Sequence, residues 1–281
     1  MSGLLCGLLG VACFSGTLIA TQLATPALSP VFIGLGRALV AAVLAALLLW
    51  STRSPWPSRR QWWGLLRVAA GVVVGFPLFS SIAMTQVSAS HGAVFGGLLP
   101  LVTAGFGAWL SHERPRWPFW VCAIVGSGLV GGYAVTQASG GWQVADGWML
   151  IAILLCGLGY AEGGRLAREL GSWQVICWAL VLSAPFLLLP VWWQRPANLA
   201  LGWQVWAGFA YVSVVSMFLG FFVWYRGLAL GGITRVSQLQ LLQPFASMAL
   251  AAWLLGETVE PGMVGVTAVV AGCVALGRRA A

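Results

Sequence analysis

Few side chains in this 281-residue chain can do chemistry in an apolar setting, so each can be weighed separately. Glu162 is the only acid inside a long apolar run away from its ends. Counted from Gly147, it lies ~22 Å along a helix at ~1.5 Å per residue. An ionised carboxylate at such depth costs roughly 2.5–3.5 kcal/mol on insertion scales, so it must be paired, protonated or hydrated. Two roles stay open: a helix-end ion pair with Arg165, one turn on, or a proton-coupling or cation-binding group beside Tyr160. Arg37 sits about seven residues into the run 31–50. A structural role, bonding backbone carbonyls and snorkelling outward, is favoured there over attraction of a substrate carboxylate.

The neutral polar groups are more numerous. Gln238, Gln240 and Gln243 share one apolar run, and the last two are i,i+3 neighbours on one helix face. Three amides are hard to place against lipid, so at least one is expected to line a polar cavity. Thr17, Ser15, Ser213 and Ser216 are weaker candidates, because hydroxyls often bond back to their own helix. Phe76 and Phe79 flank Pro77 and offer an apolar wall, and His91 opens a run where it could titrate. Pro100 and Pro244 lie near the middle of their runs, each freeing the carbonyl four residues earlier, at Gly96 or Gln240. In hydrocarbon such a group must face protein or a wet cavity, so both prolines are read as kinks or hinges. No nucleophile, base or ligand set converges. The two histidines lie at run ends, no two carboxylates lie close together within a span, and the six cysteines lack metal-ligand spacing. The chain is therefore expected to be no enzyme and to need no metal or cofactor.

The elements that must position these groups follow from composition. Sixty per cent of residues are apolar, 7% are charged and the mean hydropathy is +0.91, values of a polytopic membrane protein. Ten runs approach the ~20 residues a spanning helix needs: 3–23, 31–50, 62–85, 91–111, 117–136, 146–167, 172–193, 202–225, 235–256 and 261–277. The ten-residue alternating segments of a β-barrel are absent. The start reads as a first membrane helix instead of a signal peptide, since it has no basic n-region. With the N-terminus inside, eleven arginines fall in cytoplasmic segments and only Arg195 falls outside, as the positive-inside rule expects. Both termini are then cytoplasmic, in the inner membrane. The net charge of +8 thus sets orientation and does not imply nucleic acid. Trp50, Trp56, Trp62, Trp63, Trp117 and Trp120 fall near one surface and Trp142, Trp148, Trp192, Trp193, Trp203 and Trp206 near the other, an aromatic belt.

The runs are duplicated. Gly96 to Pro115 returns 144 residues later as Gln240 to Glu260, pairing Pro100 with Pro244, Trp109 with Trp253 and Glu113 with Glu257. Ten spans divide into two fives, and five is odd, so the copies enter the membrane in opposite directions. The expectation is an all-α polytopic membrane protein with ten transmembrane helices as two inverted five-helix repeats, residues 1–139 and 140–281. Such repeats suit transport, because exchanging the conformations of related halves opens a site to alternate sides. Glu113 and Glu257 are read as structural acids at the N-termini of the helices that follow them. Gly128 and Gly132 are read as a small-residue packing face.

On the segments LLPLVTAGFGAWLSHERP, LLQPFASMALAAWLLGETVEP and GRALVAAVLAALLL, the chain resembles the drug/metabolite transporter superfamily, specifically its ten-helix EamA-type branch. His112-Glu113 departs from the usual Gly-Glu, and Val181 aligns with Arg37, so an arginine role is not symmetric. The resemblance implies a basket-like bundle with runs 1, 3, 4, 6, 8 and 9 around a central cavity and runs 5 and 10 at the periphery. Relatives export amino acids and other metabolites, cationic drugs, nucleotide sugars or triose phosphates. Phosphate substrates are disfavoured, because Arg37 is the one credible intramembrane cation. Export of amino acids or related amphipathic metabolites is the first expectation, and proton-coupled efflux of cationic drugs through Glu162 is the alternative. The partners expected are a small-molecule substrate and the lipid bilayer, with the chain as a monomer or homodimer.

Overall fold

The computed structural model describes residues 2–256 apart from 88, 112, 114, 115 and 138–142, together with 268, 269, 272, 273 and 276. Among the described residues there is no strand. Helix covers each predicted run from 3–23 to 235–256, while the tenth run and Glu257 lie largely or wholly outside the described residues. In order, the helices are α1 (Gly3–Ser15), α2 (Thr17–Ala24), α3 (Pro30–Ser51), α4 (Arg59–Val68), α5 (Phe76–Ala83), α6 (Ala89–Gly96), α7 (Leu99–Ser111), α8 (Trp117–Gln137), α9 (Val144–Leu170), α10 (Ser172–Trp193), α11 (Trp203–Ala210), α12 (Gly220–Gly231), α13 (Ile233–Ser237) and α14 (Gln243–Leu255). Six continuous helical stretches, among them Pro30–Ser51 and Trp203–Gly231, are long and apolar enough to cross a membrane.

Starts are fixed by capping. Ser29 accepts from the Phe32 N–H at 3.2 Å ahead of Pro30, and Ser58 and Gln61 form a reciprocal capping box for α4. Gly171, at φ 94°, turns α9 directly into α10, a conformation that L side chains rarely adopt.

Five predicted runs are interrupted. Gly16 breaks the first into α1 and α2. The π-helical stretches Ala69–Gly75 and Tyr211–Leu219 join α4 to α5 and α11 to α12. A turn at residues 97–98 parts α6 from α7, and a 3-10 stretch, Gln238–Leu242, leads into α14. Pro100 and Pro244 stand at helix starts and not in mid-helix. Each is the second residue of a new helix, where the N–H it lacks would be unsatisfied in any case. The two half-helices that they open, 99–111 and 243–255, keep the 144-residue offset at both ends.

Among the described residues, close glycine packing is seen at positions other than Gly128 and Gly132. A Cβ at Gly128 or Gly132 would meet nothing within 4 Å among the described residues. At Gly71 it would strike the Leu155 carbonyl and come within 2.9 Å of Gly159 Cα, so the π stretch lies directly on α9. Around this crossing α3 packs on α10, α1 on α12, and α7 and α5 on α9. The outward faces are apolar: Val43, Leu47, Phe186 and Leu188 are exposed, as are Trp50, Trp63, Trp117, Trp192 and Trp203. A surface of that composition is suited to lipid.

Candidate functional site

The interruptions converge on one narrow interior cavity of about 30 Å³. Its wall takes Phe14, Thr17 and Leu18 from the break between α1 and α2, Val72 and Phe76 from the first π stretch and its end, and Gly96 and Leu99 from either side of the α6–α7 turn. Opposite lie Ser216, Met217 and Phe221 of the second π stretch and its end, with Gln243, Pro244 and Ser247 from the start of α14. Met149, Ile153, Cys156 and Tyr160 of the unbroken α9 form a spine, and Arg37 reaches in from α3. Runs 1, 3, 4, 6, 8 and 9 thus all contribute, as the resemblance implies.

Breaks put backbone polar groups at depth, and side chains from other elements answer them. Ser247 Oγ donates to the Ser15 carbonyl at 2.7 Å, and Tyr211 Oη donates to the Cys13 carbonyl at 2.9 Å. Thr17 and Ser216 hydroxyls meet at 2.8 Å across the bundle. Ser15 and Ser213 instead bond back to Val11 and Phe209 carbonyls of their own helices. Irregular backbone at membrane depth is tolerated where other protein groups satisfy it, as these side chains do here.

The cavity is closed at the arginine-rich end. From Met149 to Tyr160 one face of α9 lines it over ~16 Å. Past Tyr160, Gly163 on α9 meets the Tyr225 ring and Gly164 packs on Leu228, both fully buried. The floor is aromatic: Tyr160 stacks on Phe14 at 6.0 Å and abuts Phe221 at 5.9 Å and Trp224 at 5.3 Å. Below it, Glu113 at the end of α7 receives the Ile233 and Thr234 N–H groups at 3.1 and 2.9 Å and Arg168 Nη2 at 2.9 Å. Glu113 does cap a helix N-terminus, but that of α13, across the bundle, and not that of the helix following it. The reason is local: α13 starts after Gly232 with unsatisfied N–H groups, and α7 packs against it. Burial alone would raise the Glu113 carboxyl, but the amides of Thr234 and Ile233 and the Arg168 guanidinium outweigh it and hold it below the ordinary 4.5.

The predicted site residues separate into groups. Thr17, Phe76, Tyr160 and Gln243 line the cavity together, beside Pro244. Gln240 and Gln238 are fully buried and do not line it, Gln240 lying beside the Tyr160 hydroxyl. Phe79 stacks on Trp148 at 5.5 Å outside the lining. The side chain of His91 lies outside the described residues. Pro100 neighbours the lining residue Leu99 without being part of the wall.

The two intramembrane charges differ from one another. Glu162 is fully buried and paired with Arg165 at 2.7 Å and with Arg67 at 3.7 Å, away from the cavity. Arg67 was not expected there; its place in an apolar run one helix away gave no signal of pairing. Arg37 does not snorkel. It is 1% exposed, lies in the cavity wall near Cys156 and Tyr160, and its Nε and Nη1 have no hydrogen-bond partner.

Comparison with known proteins agrees with this architecture. The EamA-like transporter family matches twice, over residues 1–131 and 143–278. The "Uncharacterized transporter YdeK" of Bacillus subtilis (strain 168) is 48% identical over 279 residues, 99% of this chain and 97% of that one. A solved crystal structure superposes with a TM-score of 0.76 at 17% identity, covering 98% of this chain and 95% of the other, which establishes likeness of fold. The broken apolar helices gathered on one interior cavity are thus those of a multi-pass membrane transporter, and the chain belongs to the EamA-like transporter family.

Proposed function

We propose that the protein exports small amphipathic organic solutes, amino acids or related metabolites first, by alternating access of two inverted five-helix repeats, residues 1–139 and 140–281. The observation that carries this reading is the cavity itself: both halves contribute to its wall, and five of the runs that do so are broken there, around the continuous α9. Discontinuous helices meeting at mid-depth are how secondary transporters present backbone and side-chain polar groups to a solute. The duplication is supported by the two family matches and by the half-helices 99–111 and 243–255. Ten spans in the cytoplasmic membrane, with both termini and most arginines on the cytoplasmic side, complete the proposal. The cavity is then closed toward the cytoplasm and faces outward.

The wall suits an amphipathic solute, being mostly apolar with a few polar groups at Thr17, Ser216, Gln243 and Arg37. Efflux of cationic drugs through Glu162 has less support, because that carboxylate already holds two arginines and is not in the wall. Purified protein in liposomes is expected to show counterflow of at least one labelled amino acid from a panel of twenty or so, several-fold above empty liposomes. A panel with no signal above that background would remove amino acids as the substrate class.

A further inference from the structure

Arg37 is a cation with nowhere to go. Its side chain is 1% exposed, and two of its three nitrogens have no partner. Among the described residues, the acids are engaged elsewhere. Glu162 and Glu169 hold Arg165, Glu113 holds Arg168 and α13, and Asp146 closes the capping box of α9. A buried charge without a counter-ion is strongly unfavourable, and intramembrane cations are ordinarily paired or hydrated. Yet Arg37 is one of the residues that line the transport cavity, where a solute could supply the missing charge.

We infer that Arg37 is the anion subsite of the cavity and selects solutes bearing a single carboxylate. The planar guanidinium offers parallel N–H donors that match the two oxygens of a carboxylate. No second basic side chain stands in the described wall, which suits a monoanion better than a phosphate dianion. Gln243 Oε1, also in the wall and also without a hydrogen-bond partner, is an acceptor for an ammonium or hydroxyl of the same molecule. Phe14, Tyr160 and Phe221 receive its apolar part. The arginine has no counterpart in the second half, where Val181 stands at the equivalent position, so the site reads its solute asymmetrically.

The inference rests on the transport reading above, and its test separates the two. Full-length protein in detergent is titrated with L-phenylalanine, 3-phenylpropanoate and phenethylamine, with thermal stabilisation as a binding readout that does not require transport. The two carboxylates are expected to stabilise at concentrations at least tenfold lower than the amine. Arg37→Gln should abolish that difference and Arg37→Lys retain part of it. Equal stabilisation by acid and amine, no stabilisation by either carboxylate, or an unchanged acid-to-amine ratio in Arg37→Gln overturns the inference. Should Arg37→Gln not fold, the wild-type ratio and Arg37→Lys decide. Carboxylate binding without amino-acid counterflow would refute amino-acid transport and leave the Arg37 subsite standing.

Discussion

Replacing Glu113 with alanine will release the N-terminus of α13 and loosen the closed end of the cavity. The carboxylate takes two backbone N–H groups and one arginine, and its side chain is 17% exposed. Losing a cap typically costs 0.5–2 kcal/mol; with a charge-assisted bond lost as well, the total is about 2–4 kcal/mol. That is a shift on the order of 10²-fold in any equilibrium in which this contact forms in one state only. Hydrogen exchange at residues 233–242 should accelerate by roughly 10–100-fold in Glu113→Ala and less in Glu113→Gln. Unchanged exchange would show that the contact holds nothing together.

The pH dependence of this contact has a definite sign. The folded-state carboxyl is held below 4.5, so its stabilisation is fully present above that value and is lost as pH falls through the lower, folded one. Between pH 5 and 8 the contact therefore stays closed, and Glu113 is no proton switch there.

The second large effect belongs to Arg165. Its removal leaves Glu162, with a fully buried side chain, facing only Arg67 at 3.7 Å. Breaking a buried pair from one side costs about 3–5 kcal/mol, because a charge is stranded in low dielectric. Arg165 is itself 26% exposed, so solvent screening places Arg165→Ala toward the lower part of that range. Glu162→Gln should be milder, since both arginines have side-chain exposure to water. The double variant should be more stable than the sum of the single losses, a coupling that a double-mutant cycle of unfolding midpoints measures. Strict additivity would mean that the pair is energetically idle. If transport in Glu162→Gln lost its pH dependence, Glu162 would be a coupling group in addition to an ion-pair member.

Apolar runs located the helices because each needs a long stretch without charge, and the ends found by hydropathy agree with Pro30–Ser51 and Ser172–Trp193 to within a residue. The breaks inside the runs were harder to see. Pro100 and Pro244 marked two of them, but proline alone does not distinguish a kink from a helix start. The difference lies in the turn at 97–98 and the 3-10 stretch at 238–242 that precede them. Nothing local announces the π stretches at Ala69 and Tyr211; their cause is tertiary, as in the lodging of Gly71 against Leu155 and Gly159. Of the polar residues, Thr17, Tyr160 and Gln243 could be picked as membrane-buried, yet which of them share a wall depended on helix rotation. The same blindness applied to the charges. Arg165 is one turn from Glu162 and therefore predictable as its partner, whereas Arg67 comes from another helix. The cation in the wall, Arg37, was legible as costly but not as unpaired, since pairing depends on where every other acid has gone.

The central claim is that the cavity between the halves holds the transported solute and opens to one side at a time. Ser216 lies in its wall and meets Thr17 across the bundle, so a Ser216→Cys substitution places a nearly isosteric thiol there. With the six native cysteines replaced, its alkylation can be followed from either face of oriented vesicles. The account predicts reaction from the outer face, several-fold slowing by any solute that shows counterflow, and reaction from the arginine-rich face once Glu113→Ala is added. Alkylation that a demonstrably transported solute leaves unchanged would contradict it.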